Sequence, residues 1–415
     1  MPFHVRPDRL ARLQAELAAV GATADGGVHR PAFSDAHVAA CRWFQDTARE
    51  AGLETWMDTA GNQGARLMVA GPEAPSLLLG SHLDSVPYGG AFDGALGVLC
   101  ALEVLLAARE ASIRLPFNLE AISFTDEEGR YLPLLGSRAF TGTLPPEAQA
   151  QLEASLSPAA RAAAQALGVD PTRLDEARRA PESLVGYLEV HIEQGRELEQ
   201  RGGGVGIVTE VVGIWQYEVC FRGAADHAGT TALPARRDAL LGAARFMDRL
   251  ATATVQADPA YRSTVGTLTV EPGALNVVPA LTTLGVEVRA GSVDGLRVLE
   301  ALVHEEAQAA AQAGGLEATC TLTARVDPVP LHPQMQRALA HGAKHVGVAG
   351  YAMPSGAGHD AQALAAIVPS GLLFVPSRGG RSHGPDEYTT PEDGLHGARV
   401  LAAAVESLAQ ADVRP

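Results

Sequence analysis

The 415-residue sequence has little cysteine, no long apolar run and few basic residues. Four cysteines lie far apart with no Cys-x-x-Cys pair, which argues against a disulfide scaffold or a cysteine zinc site and predicts reduced core thiols: Cys41, Cys100, Cys220 and Cys320. No apolar stretch approaches the ~20 residues of a membrane helix, and the first residues lack the order of a signal peptide. We therefore expect a cytoplasmic protein with no membrane partner.

The charge balance is acidic, with 32 Lys and Arg against 48 Asp and Glu and a net charge of −16. Nucleic acids and anionic membranes need a basic face, so neither is expected as a partner. The same field disfavours anionic substrates at long range. A substrate that carries a carboxylate would therefore need a well-placed arginine.

The order of strand-like and helix-like segments predicts an α/β protein with two domains. Alternating strands and helices predict a doubly wound, mixed-sheet catalytic domain formed by residues 1–205 and 327–415. Between these parts, residues 206–326 have the order β-α-β-β-α-β of a ferredoxin-like α+β domain. Strands are predicted at 66–70, 76–80, 118–124, 184–190 and 371–375, a helical insertion at 144–182, and a short helix at 359–366.

Residues 79–97 combine three metal-type side chains with a glycine-rich loop that follows an apolar run. His82 is a nitrogen ligand, and a carboxylate two residues later, Asp84, can hold its other ring nitrogen. Asp93 lies close to Gly90 and Gly94, so the backbone can bend its carboxylate back to bridge two ions. Taken alone, the motif fits a structural strand end better than half of a metal site.

Two adjacent acidic residues, Glu127 and Glu128, follow the predicted strand 118–124. Neighbouring side chains on extended backbone point in different directions, so one can bind metal while the other faces water. A metal lowers the pKa of bound water towards about 7, and a nearby carboxylate can then take its proton. An exposed acidic turn is the alternative interpretation.

Five of the thirteen histidines occur in Gly-, Asp- or Glu-rich turns: His82, His191, His227, His359 and His383. Of these, His191 and His383 join His82 as candidate ligands. With neutral histidines, Asp93, Glu128, Glu127 and one hydroxide together neutralise two divalent ions. Zinc is the most favoured metal, while manganese, cobalt and nickel accept the same ligands.

The motifs together resemble the amidase/hydantoinase/carbamoylase family, which is related to the dinuclear metallopeptidases carboxypeptidase G and aminoacylase. The motifs occur in the family's order: Gly-Ser-His-Leu-Asp-Ser-Val, Gly-Gly-Ala-Phe-Asp-Gly, Asp-Glu-Glu-Gly, His-Ile-Glu-Gln-Gly, Asp-His-Ala-Gly-Thr-Thr, Asn-Val-Val-Pro, Ser-Gly-Ala-Gly-His-Asp-Ala and Ser-His-Gly-Pro-Asp-Glu-Tyr-Thr. They run from about residue 79 to 390.

The resemblance implies two divalent metal ions per subunit, with Asp93 as the shared ligand. One ion would be held by His82, Asp93 and His191, and the other by Asp93, Glu128 and His383. Glu127 would be the general base and later the proton donor. Asp84 would orient His82, and the resemblance suggests supporting roles behind the ligands for His359 and Asp360.

The substrate residues that the resemblance implies lie mostly on the inserted domain, which would also form a homodimer. His227 would stabilise the oxyanion, either within its own subunit or from the partner subunit, and Asn276 and Arg289 would bind the substrate carboxylate. Gln194 would contact the ureido or amide group. Two departures from the family pattern affect pocket shape: segment 129–135 is about two residues short, and Ala232-Leu233 replaces the usual Pro-Met.

The activity implied is metal-dependent hydrolysis of a linear C–N bond in a small molecule that carries a carboxylate. An N-carbamoyl-L-amino acid is the first expectation, giving the amino acid, carbon dioxide and ammonia. Allantoate or β-ureidopropionate comes next, followed by an N-acyl amino acid or dipeptide. A non-catalytic binding protein is disfavoured because it has no need of a base such as Glu127.

Overall fold

Contacts divide the chain into two compact units in the computed structural model, which describes residues 4–410. The first unit comprises the chain up to Thr209 and from Pro330 onward, and the second is Glu210–Val329. The sequence placed the inserted domain at 206–326, so the observed limits lie four and three residues further along. The first limit moves because strand Val205–Val211 pairs within the large sheet.

The described residues form thirteen strands: β1 (Glu54–Met57), β2 (Gln63–Leu67), β3 (Ser76–His82), β4 (Asn118–Phe124), β5 (Leu184–Ile192), β6 (Val205–Val211), β7 (Gly213–Arg222), β8 (Arg262–Glu271), β9 (Leu281–Ala290), β10 (Glu317–Val326), β11 (Val329–Pro330), β12 (Gly350–Ser355) and β13 (Ser370–Val375). A large sheet has the order β1-β2-β4-β3-β5-β13-β6-β11, with β12 also paired to β6. A second sheet has the order β10-β7-β9-β8.

Twelve α-helices occur in the same residues: α1 (Pro7–Ala19), α2 (Asp35–Glu50), α3 (Ala95–Glu110), α4 (Leu135–Thr141), α5 (Ala148–Ser155), α6 (Pro158–Ala166), α7 (Glu197–Gln200), α8 (Ala239–Ala257), α9 (Val293–Gly314), α10 (Pro333–Val346), α11 (Asp360–Leu364) and α12 (Pro391–Gln410). Four short 3₁₀ helices supplement them: Pro171–Ala177, Pro181–Ser183, Leu233–Ala235 and Arg378–Gly380.

The centre of the large sheet consists of four parallel strands in the order β4-β3-β5-β13. Every residue of these strands is buried, which accounts for their mainly apolar sequences. β2 and β6 flank them in antiparallel pairing. The predicted mixed-sheet α/β class is therefore confirmed, and the carboxyl ends of four neighbouring strands meet at one edge.

Helix α3 lies directly on this sheet and is apolar almost all round, so it is buried along most of its length. Gly97 allows the close approach, because a Cβ at this position would lie 2.2 Å from the Val190 carbonyl oxygen of β5. The helix begins just after Asp93. Its packing therefore fixes the start of the helix, and with it Asp93, against the strand ends.

The second unit has the predicted β-α-β-β-α-β order, from β7 through α8, β8, β9 and α9 to β10. Its strand order, with β7 and β9 in the centre, is that of a ferredoxin-like sheet. Residues along β7 and β9 alternate between buried and more exposed positions. The two helices pack on the buried face, which gives the unit its own core.

Several element predictions were wrong in detail. The strand expected at 66–70 is β2 (Gln63–Leu67), and β1 and β12 were not predicted because neither is uniformly apolar. The insertion at 144–182 is not continuously helical, since prolines begin two 3₁₀ segments within it. The helix expected at 359–366 is only α11 (Asp360–Leu364).

All four cysteines are free thiols. Cys41 and Cys100 are buried as expected, whereas Cys220 and Cys320 are only half-buried in the smaller sheet. Among residues 4–410, no helix has the length and apolar character required to cross a membrane.

A buried polar network lies behind the strand ends, around Arg30 and His37. Arg30 is 1% exposed and donates hydrogen bonds to the carbonyl oxygens of Leu83, Leu17 and Val20. His37 Nδ1 accepts a hydrogen bond from the Phe33 amide at 3.2 Å, so the ring must stay neutral. Burial lowers the pKa of His37 from 6.5 to about 4, an effect that Asp84 partly offsets and Arg30 and His82 reinforce.

We expect this histidine to make stability depend on pH. Because its folded pKa is depressed, the unfolded chain binds the proton more readily. The stability that the neutral ring contributes is fully present above pH 6.5. As the pH falls towards 4, the free energy of unfolding decreases by about 3 kcal/mol. Urea unfolding between pH 4 and 7 should show a shallower pH dependence in His37→Gln than in wild type. The exposed His345→Gln is the control, and equal slopes in all three proteins would contradict the prediction.

Candidate metal centre

The candidate site lies where the four parallel strands end. His82 is the last residue of β3, and His191 is the next-to-last residue of β5. Glu127 and Glu128 follow β4, and His383 is in the loop after β13. Adjacent parallel strands bring these distant parts of the sequence to one edge of the sheet.

Asp93 is at the centre of this group because its two carboxylate oxygens face different partners. Oδ1 is 3.0 Å from His191 Nε2 and 3.5 Å from His82 Nε2. Oδ2 is 3.3 Å from His383 Nε2, which is itself 3.5 Å from Glu128 Oε2. The side chains thus form two clusters, each able to hold a cation, that share Asp93: His82, Asp93 and His191, and Asp93, Glu128 and His383.

The ring orientations of His82 and His191 suit metal binding. His82 Nδ1 lies 3.0 Å from the Asp84 carbonyl oxygen, and His191 Nδ1 lies 2.9 Å from that of Ile192. Since a carbonyl only accepts, each Nδ1 carries a hydrogen, and Nε2 is the ring nitrogen left to coordinate a cation when the ring is neutral. His82 Nε2 is buried without a hydrogen-bond partner. The residues therefore fit a cation bound between them.

Gly94 provides the space for this arrangement. A Cβ at Gly94 would lie 2.4 Å from three atoms of the His82 ring. The backbone there has φ +61°, which favours glycine. The glycine beside Asp93 thus lets the shared carboxylate and the His82 imidazole approach each other.

The structure corrects the expected role of the Asp84 carboxylate. It was expected to hold the His82 ring, but the carbonyl oxygen of Asp84 makes that contact, and the nearest carboxylate oxygen is 3.9 Å from Nδ1. The two carboxylate oxygens instead accept from the amides of Glu127 and Glu128, each at 3.3 Å. Two successive amides offer a carboxylate more hydrogen bonds than one ring nitrogen does.

The two adjacent glutamates point to different partners, as expected. Glu127 Oε2 faces His82 Nε2 at 3.6 Å, while Glu128 faces His383 and also accepts from the Val86 amide. Burial raises the pKa of Glu127 well above its usual range, although His82 opposes the shift. Burial and Asp93 raise the pKa of Glu128 to about 7.

The histidines respond to the same crowding of carboxylates. Burial acts to lower the pKa of His82, but Glu127, Asp93 and Asp84 outweigh it and raise that pKa well above its usual range. A hydrogen bond to Asp93 and the charge of Glu128 raise the pKa of His383 to about 9. The crowded carboxylates thus favour positive charge on the histidines between them. A divalent cation bound there would supply positive charge at the same place.

Three further residues hold the centre together, and the sequence identified only one of them. Gln194 Nε2 donates to Asp93 Oδ2 at 2.8 Å, and Ser382 Oγ lies 2.7 Å from the same oxygen. Glu387 accepts from the amides of Phe92 and Asp93, each at 2.9 Å. Ser382 and Glu387 flank His383 in a motif already recognised, but their partners are almost 300 residues away in the chain.

His359 and Asp360 lie behind His191. The His359 ring packs edge-on against the His191 ring, with centroids 4.5 Å apart, and its Nε2 lies 2.8 Å from Ser355 Oγ. Glu189 and His359 form a third possible cation cluster with His191. Glu189 is already satisfied by Ser81 Oγ and the Ala361 amide, which indicates a structural role.

The remaining expected substrate residues belong to the second unit. His227 and Asn276 are neighbours, since His227 bridges to Val277 and the Ala228 amide donates to the Asn276 carbonyl oxygen. His227 Nδ1 accepts from the Gly229 and Thr230 amides, which leaves its Nε2–H as a donor. Arg289 is half-buried on β9, where its guanidinium pairs with Glu287 at 2.7 Å.

Fold and site together define a two-unit α/β protein with a histidine–carboxylate centre able to bind cations. Residues 78–407 match the peptidase family M20/M25/M40. The N-carbamoyl-L-amino acid amidohydrolase of Geobacillus stearothermophilus is 37% identical over 410 residues, which cover 98% of this chain and 100% of the relative. The allantoate amidohydrolase of Bacillus subtilis is 34% identical, with 95% of each chain covered.

A solved structure from Burkholderia multivorans, described as an amidase of the hydantoinase/carbamoylase family, has a TM-score of 0.88 and 34% identity, with 98% of each chain covered. The chain belongs to the peptidase family M20/M25/M40. The resemblance to hydantoinase/carbamoylase amidases is confirmed, and so is the assignment as a hydrolase of carbon–nitrogen bonds.

Glu387 offers a test of how the centre is built. Glu387→Ala would leave the buried Asp93 amide and the part-buried Phe92 amide without their acceptor, at a cost of about 1–3 kcal/mol. Because those amides position Asp93, we also expect divalent metal affinity to fall about 10- to 100-fold. Calorimetric zinc titration and urea unfolding measure the two effects. Exposed Glu392→Ala is the control, and an unchanged zinc affinity in Glu387→Ala would refute the positioning role.

Proposed function

We propose that this protein is a dinuclear-metal amidohydrolase that converts an N-carbamoyl-L-amino acid to the amino acid, carbon dioxide and ammonia. The observation that carries the proposal is the pair of clusters that share Asp93 beside Glu127, whose side chain is 11% exposed. Glu127 belongs to neither cluster but lies next to them, so its carboxylate can act as a base in hydrolysis. A protein that only binds its ligand does not need such a base.

His82, Asp93 and His191 would hold one ion, and Asp93, Glu128 and His383 the other. Their nitrogen and oxygen ligands suit zinc best, and manganese, cobalt or nickel would also be accepted. When bound, such ions supply Lewis-acid polarisation of the substrate and lower the pKa of water.

Glu127 would move the proton in both halves of the reaction. It takes a proton from the attacking water and later donates it to the leaving nitrogen. Burial, which raises the pKa of this carboxyl well above its usual range, helps it to hold the proton between the two steps. Asp84 keeps Glu127 and Glu128 in place through their amides.

Four residues are proposed for substrate recognition. Gln194, whose amide already reaches Asp93, would contact the ureido group. His227 would donate its Nε2–H to the developing oxyanion, a role supported by the two amides that occupy Nδ1. Asn276 beside it and Arg289 on β9 would bind the substrate carboxylate.

Allantoate is the second candidate, favoured by the similarity to the Bacillus subtilis enzyme. β-Ureidopropionate and N-acyl amino acids or dipeptides share the same carboxylate and amide-like bond. The departures at 129–135 and at Ala232-Leu233 bear on this choice, because one adjoins Glu128 and the other follows His227 by a few residues. Leu233 is 74% exposed.

We also propose a homodimer formed through the second unit. α8 and the edge strand β8 carry exposed apolar side chains: Leu240, Leu241, Val255 and Leu268. Apolar groups gathered on one helix and the neighbouring edge strand are typical of a surface that another chain covers.

The substrate is tested by assaying ammonia release from the zinc- or manganese-loaded protein. The panel consists of N-carbamoyl-L-amino acids, allantoate, β-ureidopropionate and N-acetyl amino acids. Hydrolysis of the N-acetyl compounds is measured as release of the free amine. We expect the highest kcat/KM for an N-carbamoyl-L-amino acid and loss of activity on chelation. A higher value for allantoate would select the second candidate, and no turnover of any compound would refute the proposed reaction.

The role of Glu127 is tested separately by Glu127→Gln, which keeps the shape of the side chain but removes its basicity. Metal content should remain at the wild-type level while kcat falls by about 10²- to 10⁴-fold. Exposed Glu153→Gln on α5 is the matched control. A Glu127→Gln enzyme with wild-type kcat would show that another group moves the proton.

A further inference from the structure

We propose that Arg381 binds a second anionic group of the substrate, so that the preferred substrates are N-carbamoyl amino acids with an acidic side chain. This inference rests on the proposed function and specifies its substrate class. The feature that carries it is a cavity of about 520 Å³ in the first unit, lined by Gln194, Ala357, Gly380, Arg381, Ser382, His383 and Asp386.

The cavity shares three of its lining residues with the candidate metal centre. Three of its lining side chains contact the shared carboxylate: Gln194 and Ser382 reach Asp93 Oδ2 at 2.8 and 2.7 Å, and His383 Nε2 lies 3.3 Å from it. A substrate whose scissile group lies at the centre therefore has this cavity as neighbouring space for another part of the molecule.

The lining of the cavity favours a polar substituent over an apolar one. Ala357 contributes its only aliphatic side chain, and five of the seven lining residues are polar or charged, so a polar substituent would find hydrogen-bonding partners there. Arg381 is the one permanently charged cation among the seven lining residues. In a protein of net charge −16, a guanidinium beside the centre is the local feature that can offset repulsion of an anion.

Arg381 can accept a second carboxylate although it is already paired. Its guanidinium forms an ion pair with Asp386, and the two side chains are 62% and 52% exposed. A guanidinium has five N–H donors, and one carboxylate uses at most two of them. Exposed pairs of this kind contribute little stability, so a substrate carboxylate can share or replace Asp386 at small cost.

The loop that carries Arg381 is held firmly against the first unit. Arg196 Nε donates to the Gly379 carbonyl oxygen at 2.7 Å, and Glu199 accepts from the Gly379 amide at 3.1 Å. A Cβ at Gly380 would lie 2.6 Å from Gly195, which shows how closely the loop packs. Arg381 is thus presented two residues from His383 on an anchored backbone, as a specificity residue must be.

The test compares two substrates of nearly equal shape, N-carbamoyl-L-glutamate and N-carbamoyl-L-glutamine. We expect wild type to favour the glutamate compound at least 10-fold in kcat/KM, and Arg381→Gln to reduce this ratio at least 10-fold. Asp386→Asn should raise the ratio, because it removes the competing carboxylate. Arg173→Gln is the matched control, since Arg173 forms a similarly exposed pair with Glu176 and should leave the ratio as in wild type.

Binding of the same two compounds to the metal-loaded Glu127→Gln protein separates this inference from the proposed reaction. Tighter binding of the glutamate compound that is lost with Arg381→Gln supports the anion site, even if neither compound is turned over by wild type and the proposed reaction fails. Turnover of both compounds with a ratio unchanged by Arg381→Gln would overturn the inference and leave the reaction standing. A wild-type preference for the glutamine compound would overturn it as well.

Discussion

The centre depends on one buried carboxylate, that of Asp93, which must be shared between two groups of ligands. Burying an ionised carboxylate is costly unless hydrogen bonds and opposite charges surround it. Here His191 and His82 face one oxygen, and His383, Gln194 and Ser382 face the other. The three histidines hold the pKa of Asp93 well below its usual range, despite the opposing effect of burial. The ionised form of the shared carboxylate is therefore favoured, and this is the form that a bridging ligand would require.

The fold brings these partners together through the close packing of a few small residues. Gly97 allows α3 to lie on β5, and Gly94 leaves room for the His82 ring beside Asp93. Gly80 allows β3 to lie near β4, since a Cβ there would be 2.0 Å from the Ile122 carbonyl oxygen. The candidate site therefore depends on backbone approaches that larger side chains would prevent.

Much of the site could be predicted because strand periodicity and motif order are local properties of the sequence. Apolar runs that end in His82, His191 and the Glu127-Glu128 pair indicate strand ends, and parallel strands bring such ends together. The role of the Asp84 carboxylate could not be predicted in this way. Whether it pairs with one ring nitrogen or with two amides depends on how two turns, 43 and 44 residues apart in sequence at these contacts, face each other.

Glu387 escaped prediction for a related reason. Its principal partners are the backbone amides of Phe92 and Asp93, and a sequence does not reveal which amides lack a partner within their own turn. Short polar elements such as β1 were missed because a half-exposed strand of four residues has no distinct periodicity. The limit of the inserted domain was misplaced because β6 pairs with β13 rather than with the strand that follows it.

The arrangement separates groups that would carry out chemistry from groups that would select the substrate. His82 and His191 lie in strands, where sheet hydrogen bonds fix the backbone, and Asp84 holds the amides of the two glutamates. Arg381 lies in a loop, but anchors at Gly379 on one side and at Glu387 on the other isolate it from movements of its neighbours. A different side chain at position 381 would therefore change the cavity without releasing His383. Substrate preference can vary under this constraint while the geometry of the centre is retained.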